Sequence, residues 1–141
     1  MSQKLLFFVD EGGFEDFTPL FNEQGFMVDF EDSQRKATKL AKKNNYQVLV
    51  AEFSHNPEFR DRVSNIESLL ATLEGNSPQA KIIILYDELN QPQLNQLKAR
   101  YRMDATLKFP IDKNLLSQLI VFLIYCCFTR GPSYTFMAVS Y

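Results

Sequence analysis

Cysteine is nearly missing from this chain of 141 residues. Only Cys126 and Cys127 are present, and sequence neighbours are poorly placed to bridge distant parts of a fold, so a disulfide framework is excluded. Long apolar runs are lacking too. The longest, Leu119 to Phe128, falls short of the roughly 18 to 20 residues that span a bilayer, and Leu5 to Val9 is too short for a signal-peptide core. The expectation is a cytoplasmic protein with no membrane span. Excess positive charge is absent as well: 15 Lys and Arg stand against 17 Asp and Glu, a formal charge of -2. That balance leaves no broad basic footprint for phosphates, so no nucleic-acid partner is expected. Glycine is scarce, and Gly12-Gly13 belongs to no Gly-x-Gly-x-x-Gly or Walker pattern. His55, the lone histidine, precedes Pro57 with no cysteine or second histidine nearby and reads as a loop residue. Nor can a Ser/His/acid or Cys/His set be assembled for nucleophilic catalysis.

What the chain does have is 45% hydrophobic and 23% charged residues, enough for one globular domain with one core. Near-continuous Val/Ile/Leu/Phe runs mark strands at Lys4 to Val9, Phe26 to Phe30, Gln47 to Phe53, Lys81 to Tyr86 and Thr106 to Phe109. Such runs suit strands covered on both faces, the pattern of a parallel sheet. Helix signals lie between them. Asp32 or Ser33 opens a segment with Ala37, Leu40 and Ala41 on one face and Lys36, Lys39, Lys42 and Lys43 on the wet side. Asn56-Pro57 opens a third helix ending at Gly75, Gln91-Pro92 a fourth, and Asp112 caps a fifth. Pro19 predicts a late or kinked first helix ending near Gly25. The alternation of strands and helices gives an α/β class with helices on both faces of a doubly wound sheet. Residues 1–120 read as the domain and 121–141 as an apolar carboxyl-terminal extension.

In an open parallel sheet, ligands bind at the carboxyl ends of the strands, where strand order reverses. Those ends carry Asp10 and Glu11, then Glu52, then Tyr86, Asp87 and Glu88, then Lys108 and Phe109. Acidic groups are therefore expected to converge on one edge. From Lys4 to Leu119 the sequence resembles the receiver domain of two-component response regulators. Leu5-Leu6-Phe7-Phe8-Val9-Asp10-Glu11 is similar to the family's first strand and acidic pair, and Val48 to Phe53 to its third strand. Asp104-Ala105-Thr106-Leu107-Lys108-Phe109-Pro110 is similar to the segment ending in a lysine-proline pair. The resemblance implies a flavodoxin-like five-stranded parallel sheet of order 2-1-3-4-5, with a cis bond before Pro110.

The resemblance also implies a degenerate site. Active members use the acidic pair for magnesium, an aspartate as phosphoacceptor, a Ser or Thr after the fourth strand and a lysine. Here Glu52 stands at the acceptor position, Tyr86 at the hydroxyl position and Phe109 at the lysine position. Lys108 is one residue away and on the other side of its strand. A glutamate carboxylate is one methylene longer than aspartate, which displaces the in-line geometry of phosphoryl transfer. Two readings of Glu52 stay open: a charge imitating phosphoaspartate, or a solvated strand-end carboxylate. Asp10 and Glu11 suit a hard cation such as magnesium, although no cofactor is required. The expected function is a non-catalytic pseudo-receiver acting through a protein partner in a bacterial signalling pathway. The alternative is a metal-dependent enzyme or small-ligand sensor using Asp10, Glu11, Glu52, Asp87 and Glu88.

The carboxyl tail adds a further expectation. A helix over Leu115 to Phe128 is apolar on nearly every side and must be covered. A second copy of the chain is the expected cover, giving a homodimer through this region, with Tyr134 to Tyr141 strand-like beyond it.

Overall fold

The computed structural model describes residues 3–10, 16–54 and 66–129, the last five by their backbone alone. Strands β1 (Gln3–Phe8), β2 (Phe26–Glu31), β3 (Val48–Phe53), β4 (Lys81–Tyr86) and β5 (Ala105–Lys108) alternate with helices α1 (Thr18–Glu23), α2 (Gln34–Lys43), α3 (Glu67–Asn76), α4 (Gln91–Lys98) and α5 (Lys113–Thr129). The strands form one sheet in the order β2-β1-β3-β4-β5, and each neighbouring pair is parallel. Both the fold class and the strand order match the expectation from the sequence.

Local chemistry accounts for the element boundaries. Pro19 sits in the first turn of α1, where its missing N–H costs nothing, so this helix starts late and has only six residues. Gly25 then takes φ 93°, a left-handed conformation natural to glycine, and its amide donates to the Asn22 carbonyl at 3.0 Å. Ser33, rather than Asp32, caps α2, its hydroxyl accepting from the Lys36 amide. Asp112 accepts from the Asn114 amide at 2.9 Å at the start of α5. The third helix is described from Glu67; the expected start at Asn56-Pro57 lies outside the described residues, as does His55.

Alternate residues of the strands feed two cores. Leu6, Phe8, Leu49, Ala51, Phe53, Ile82, Ile84 and Tyr86 pack under α2, α3 and α4. Leu5, Phe7, Val48, Val50, Ile83, Leu85 and Leu107 pack under α1 and α5. On that second face Phe7 meets Phe21 edge-on at 5.3 Å and Phe30 at 5.6 Å between ring centroids.

The cover of α5 differs from expectation. Leu116, Leu119, Ile120 and Leu123 are buried against the chain's own sheet, so half the apolar helix needs no second molecule. The boundary drawn between residues 120 and 121 falls inside α5, and Leu123 beyond it belongs to the core. Val121 and Phe122 point outward, 43% and 40% exposed. A difference in stability follows. Leu123→Ala should cost about 2 to 5 kcal/mol through lost burial and a cavity, whereas Val121→Ala should stay within about 0.5 kcal/mol. Urea unfolding of the two variants checks this, and equal effects would contradict the packing of α5.

Candidate functional site

The switch point of this sheet lies between β1 and β3, because the chain leaves β1 toward β2 on one side and β3 toward β4 on the other. The β1 chain reaches it as an extended segment: the Val9 amide still donates to the Glu31 carbonyl at 3.0 Å. Asp10 follows, and its amide donates to Glu52 Oε1 at 2.8 Å. The Ser54 hydroxyl in turn donates to Asp10 Oδ2. Glu52 is only 4% exposed and Ser54 is buried, while Asp10 is exposed. The carboxyl ends of β1 and β3 are thus stitched together by Glu52 of β3 and Ser54 just after it, both acting on Asp10, two residues beyond β1.

Glu52 is therefore not the solvated strand-end carboxylate that one reading of the sequence expected. A carboxylate taken out of water needs hydrogen-bond donors, and the Asp10 amide, which has run out of strand partners, is one of them. Ser54 was not singled out in the sequence. Its signal was available: two residues after Glu52, it is carried by the strand alternation to the same side.

Register divides the remaining nominated residues between the two faces. Tyr86 pairs with Phe53 on one side and with Lys108 on the other, whereas Glu52 pairs with Leu85. Since paired residues point the same way, Phe53, Tyr86 and Lys108 form one row on the α2–α4 side, and Glu52 faces α1 and α5. Phe53 and Tyr86 are buried aromatics. Lys108 Nζ lies 3.6 Å from Glu88 Oε1, both side chains being well exposed, so this cation looks outward. Phe109 packs against the core under α5, and its amide donates to the Tyr86 carbonyl at 2.8 Å. The Phe109–Pro110 bond is cis. Asp87 uses its carboxylate locally, accepting from the Leu89 amide at 2.9 Å.

Glu11 lies outside the described residues. Among the described ones, no three His, Cys, Asp or Glu side chains gather as a metal would require. Of the two carboxylates closest to the switch point, Glu52 is engaged with a backbone amide and Asp10 with a hydroxyl. An apolar recess of about 260 Å³ lies beside this edge, lined by Leu107, Phe109, Pro110 and Leu115 among others.

The arrangement of strands has structural counterparts. A response regulator receiver domain protein from Clostridium thermocellum superposes with a TM-score of 0.68 at 16% identity, over 87% of this chain and 94% of that one. A response regulator receiver protein from Sinorhizobium medicae gives the same TM-score and identity over 88% and 95%. The receiver domain of a Francisella response regulator reaches 22% identity and a TM-score of 0.65 over 89% and 99%. The fold is that of a receiver domain. No family model matches the sequence, and no curated protein does. No helix among the described residues is long and apolar enough to cross a membrane.

At the opposite edge of this receiver fold, where the strands begin, a cleft of about 370 Å³ is lined by Gln3, Tyr46, Gln47, Asn76 and Lys81, among others. Tyr46 is structural there. Its hydroxyl donates to Asp29 Oδ2 at 2.6 Å and its amide donates to Ser77 Oγ at 3.1 Å. Burial, then the bond to the Asp29 carboxylate, pushes its phenol well above the usual tyrosine value.

Two predictions arise at these two edges. Glu52→Ala should cost about 1 to 3 kcal/mol by leaving the Asp10 amide without its acceptor, and Glu52→Gln, which keeps an acceptor oxygen, should cost less; denaturant unfolding of the pair measures the difference. Because the folded state raises the pKa of Tyr46, its contribution is complete below the ordinary tyrosine value of about 10 and is lost as pH rises above it. The stability gap between wild type and Tyr46→Phe should therefore shrink in alkaline solution. A constant gap would show that the buried phenol is not linked to folding.

Proposed function

We propose that this chain is a pseudo-receiver: a non-catalytic signalling domain of bacterial type that works in the cytoplasm by docking onto a protein partner. The observation that carries the reading is the hydrogen bond from the Asp10 amide to the buried Glu52 carboxylate. A phosphoacceptor must present a free oxygen to an incoming phosphoryl group, in line and within reach of a cation. The carboxylate at the end of β3 is instead buried and committed to holding β1. Phe53 and Tyr86 fill the adjacent row with aromatic rings, and the Lys108 ammonium is turned toward Glu88. These features also argue against Glu52 as a phosphate mimic, since neither the Tyr86 hydroxyl nor Lys108 shares its face of the sheet.

The same reading includes a homodimer through α5, on a narrower surface than the sequence suggested. Its support is the outward-facing Val121 and Phe122 of a helix whose other side is already buried. This dimer surface is apolar and requires no cofactor.

The test is intact-mass measurement of the full chain after incubation with acetyl phosphate and magnesium. No mass gain is expected, and a phosphoryl adduct at any carboxylate would overturn the non-catalytic reading. Magnesium titration by calorimetry addresses the alternative of a metal-dependent enzyme or ligand sensor at the acidic edge, which tight binding there would favour. For the dimer, light scattering of Val121→Lys beside wild type should show loss of the larger species. A truncation after Gln118 is unsuitable, because it removes Leu119, Ile120 and Leu123 from the core.

A further inference from the structure

Helix α2 carries a charge pattern that its own fold does not explain. Its ten residues include Arg35, Lys36, Lys39, Lys42 and Lys43 and no acidic residue. At 3.6 residues per turn all five cations fall within an arc of about 120°, along about 12 Å of axis, opposite the buried Ala37 and Ala41. All five are exposed, and none enters an ion pair among the described residues. With the whole chain at -2 and five positive charges on this helix, the remainder carries -7.

Stability accounts for only part of this stripe. Lys42 and Lys43 lie in the last turn, where the negative end of the helix dipole favours cations. Arg35 and Lys36 lie in the first turn, where the dipole repels them and where no acidic residue offsets it. Lys39 stands four residues from both Arg35 and Lys43 and three from both Lys36 and Lys42, so it is a like-charge neighbour of all four. In the free chain this is an unfavourable arrangement on an otherwise acidic body. Carboxylates supplied by another molecule would relieve it.

We propose that the exposed face of α2 is the docking surface for an acidic helical or extended segment of a partner protein. Rows of carboxylates a little over two helical turns long match the stripe in sign and length. Extended polyanions fit less well. Duplex nucleic acid or an anionic bilayer would run past the stripe and bring its charge against the acidic remainder, beginning with Glu31 and Asp32 just before the helix. This inference rests on the docking-domain reading above and supplies the chemistry of the partner.

The experiment is fluorescence anisotropy of a labelled Glu-rich helical peptide titrated with the full chain at low and physiological salt. Binding is expected, weakening with salt, and K36Q/K39Q/K43Q should reduce affinity by about tenfold or more while K36R/K39R/K43R retains it. Circular dichroism confirms that these surface variants stay folded. Absence of peptide binding, or equal affinity in the Gln and wild-type chains, overturns the proposal. So does tighter binding to random-sequence duplex DNA or to phosphatidylglycerol vesicles than to the peptide. Phosphoryl uptake is scored separately on the same protein. A chain that takes no phosphate yet ignores the peptide loses the α2 surface and keeps the docking-domain reading.

Discussion

The structure depends on the burial of β3 on both faces. All six residues of Val48–Phe53 are buried, which is possible only if helices cover each side of the sheet, since a strand at the centre of a parallel sheet has no face to spare for water. Every other element can be read as a response to that requirement. Helices α2, α3 and α4 supply one cover, and α1 with α5 the other. The short α1 is an economical partner because Phe17 and Phe21 deliver two aromatic rings to Phe7 from a small helix.

Burial of β3 also settles the fate of Glu52. A carboxylate in that strand has either to reach water or to find donors, and the Asp10 amide just beyond β1 donates to it. The Glu52 carboxylate is thereby turned inward, onto the backbone of the neighbouring chain segment. Ser54 extends the same stitch to the Asp10 side chain. Along the next row of the sheet, Phe53 and Tyr86 pair as buried aromatics.

The outer surfaces of the two layers differ in kind. The α5 side exposes apolar residues, Val121 and Phe122, whereas α2 exposes only polar and charged ones. The two proposed contacts would accordingly differ in chemistry: an apolar one, insensitive to salt, and an electrostatic one that speeds and orients encounter while contributing modestly to affinity. The sheet lies between the two surfaces, so neither proposed contact would obstruct the other.

The α/β alternation, the five strands and most helix starts were legible in the sequence because they rest on local chemistry. Continuous apolar runs, Pro19, Ser33, Pro92 and Asp112 act within a turn of where they stand. The strand order came from the resemblance, carried by segments such as Leu5 to Glu11 and Asp104 to Pro110. What the sequence could not determine was which side of the sheet each site residue takes and what meets it there. Glu52 and Tyr86 look like partners along the chain, yet a one-residue offset in the β3–β4 register places them on opposite faces. The apolar run after Leu115 likewise gave no sign of how much of it the chain's own sheet would cover. Both outcomes are set by pairing between segments far apart in sequence, and a strand's side-chain period of two makes a single step of register decisive.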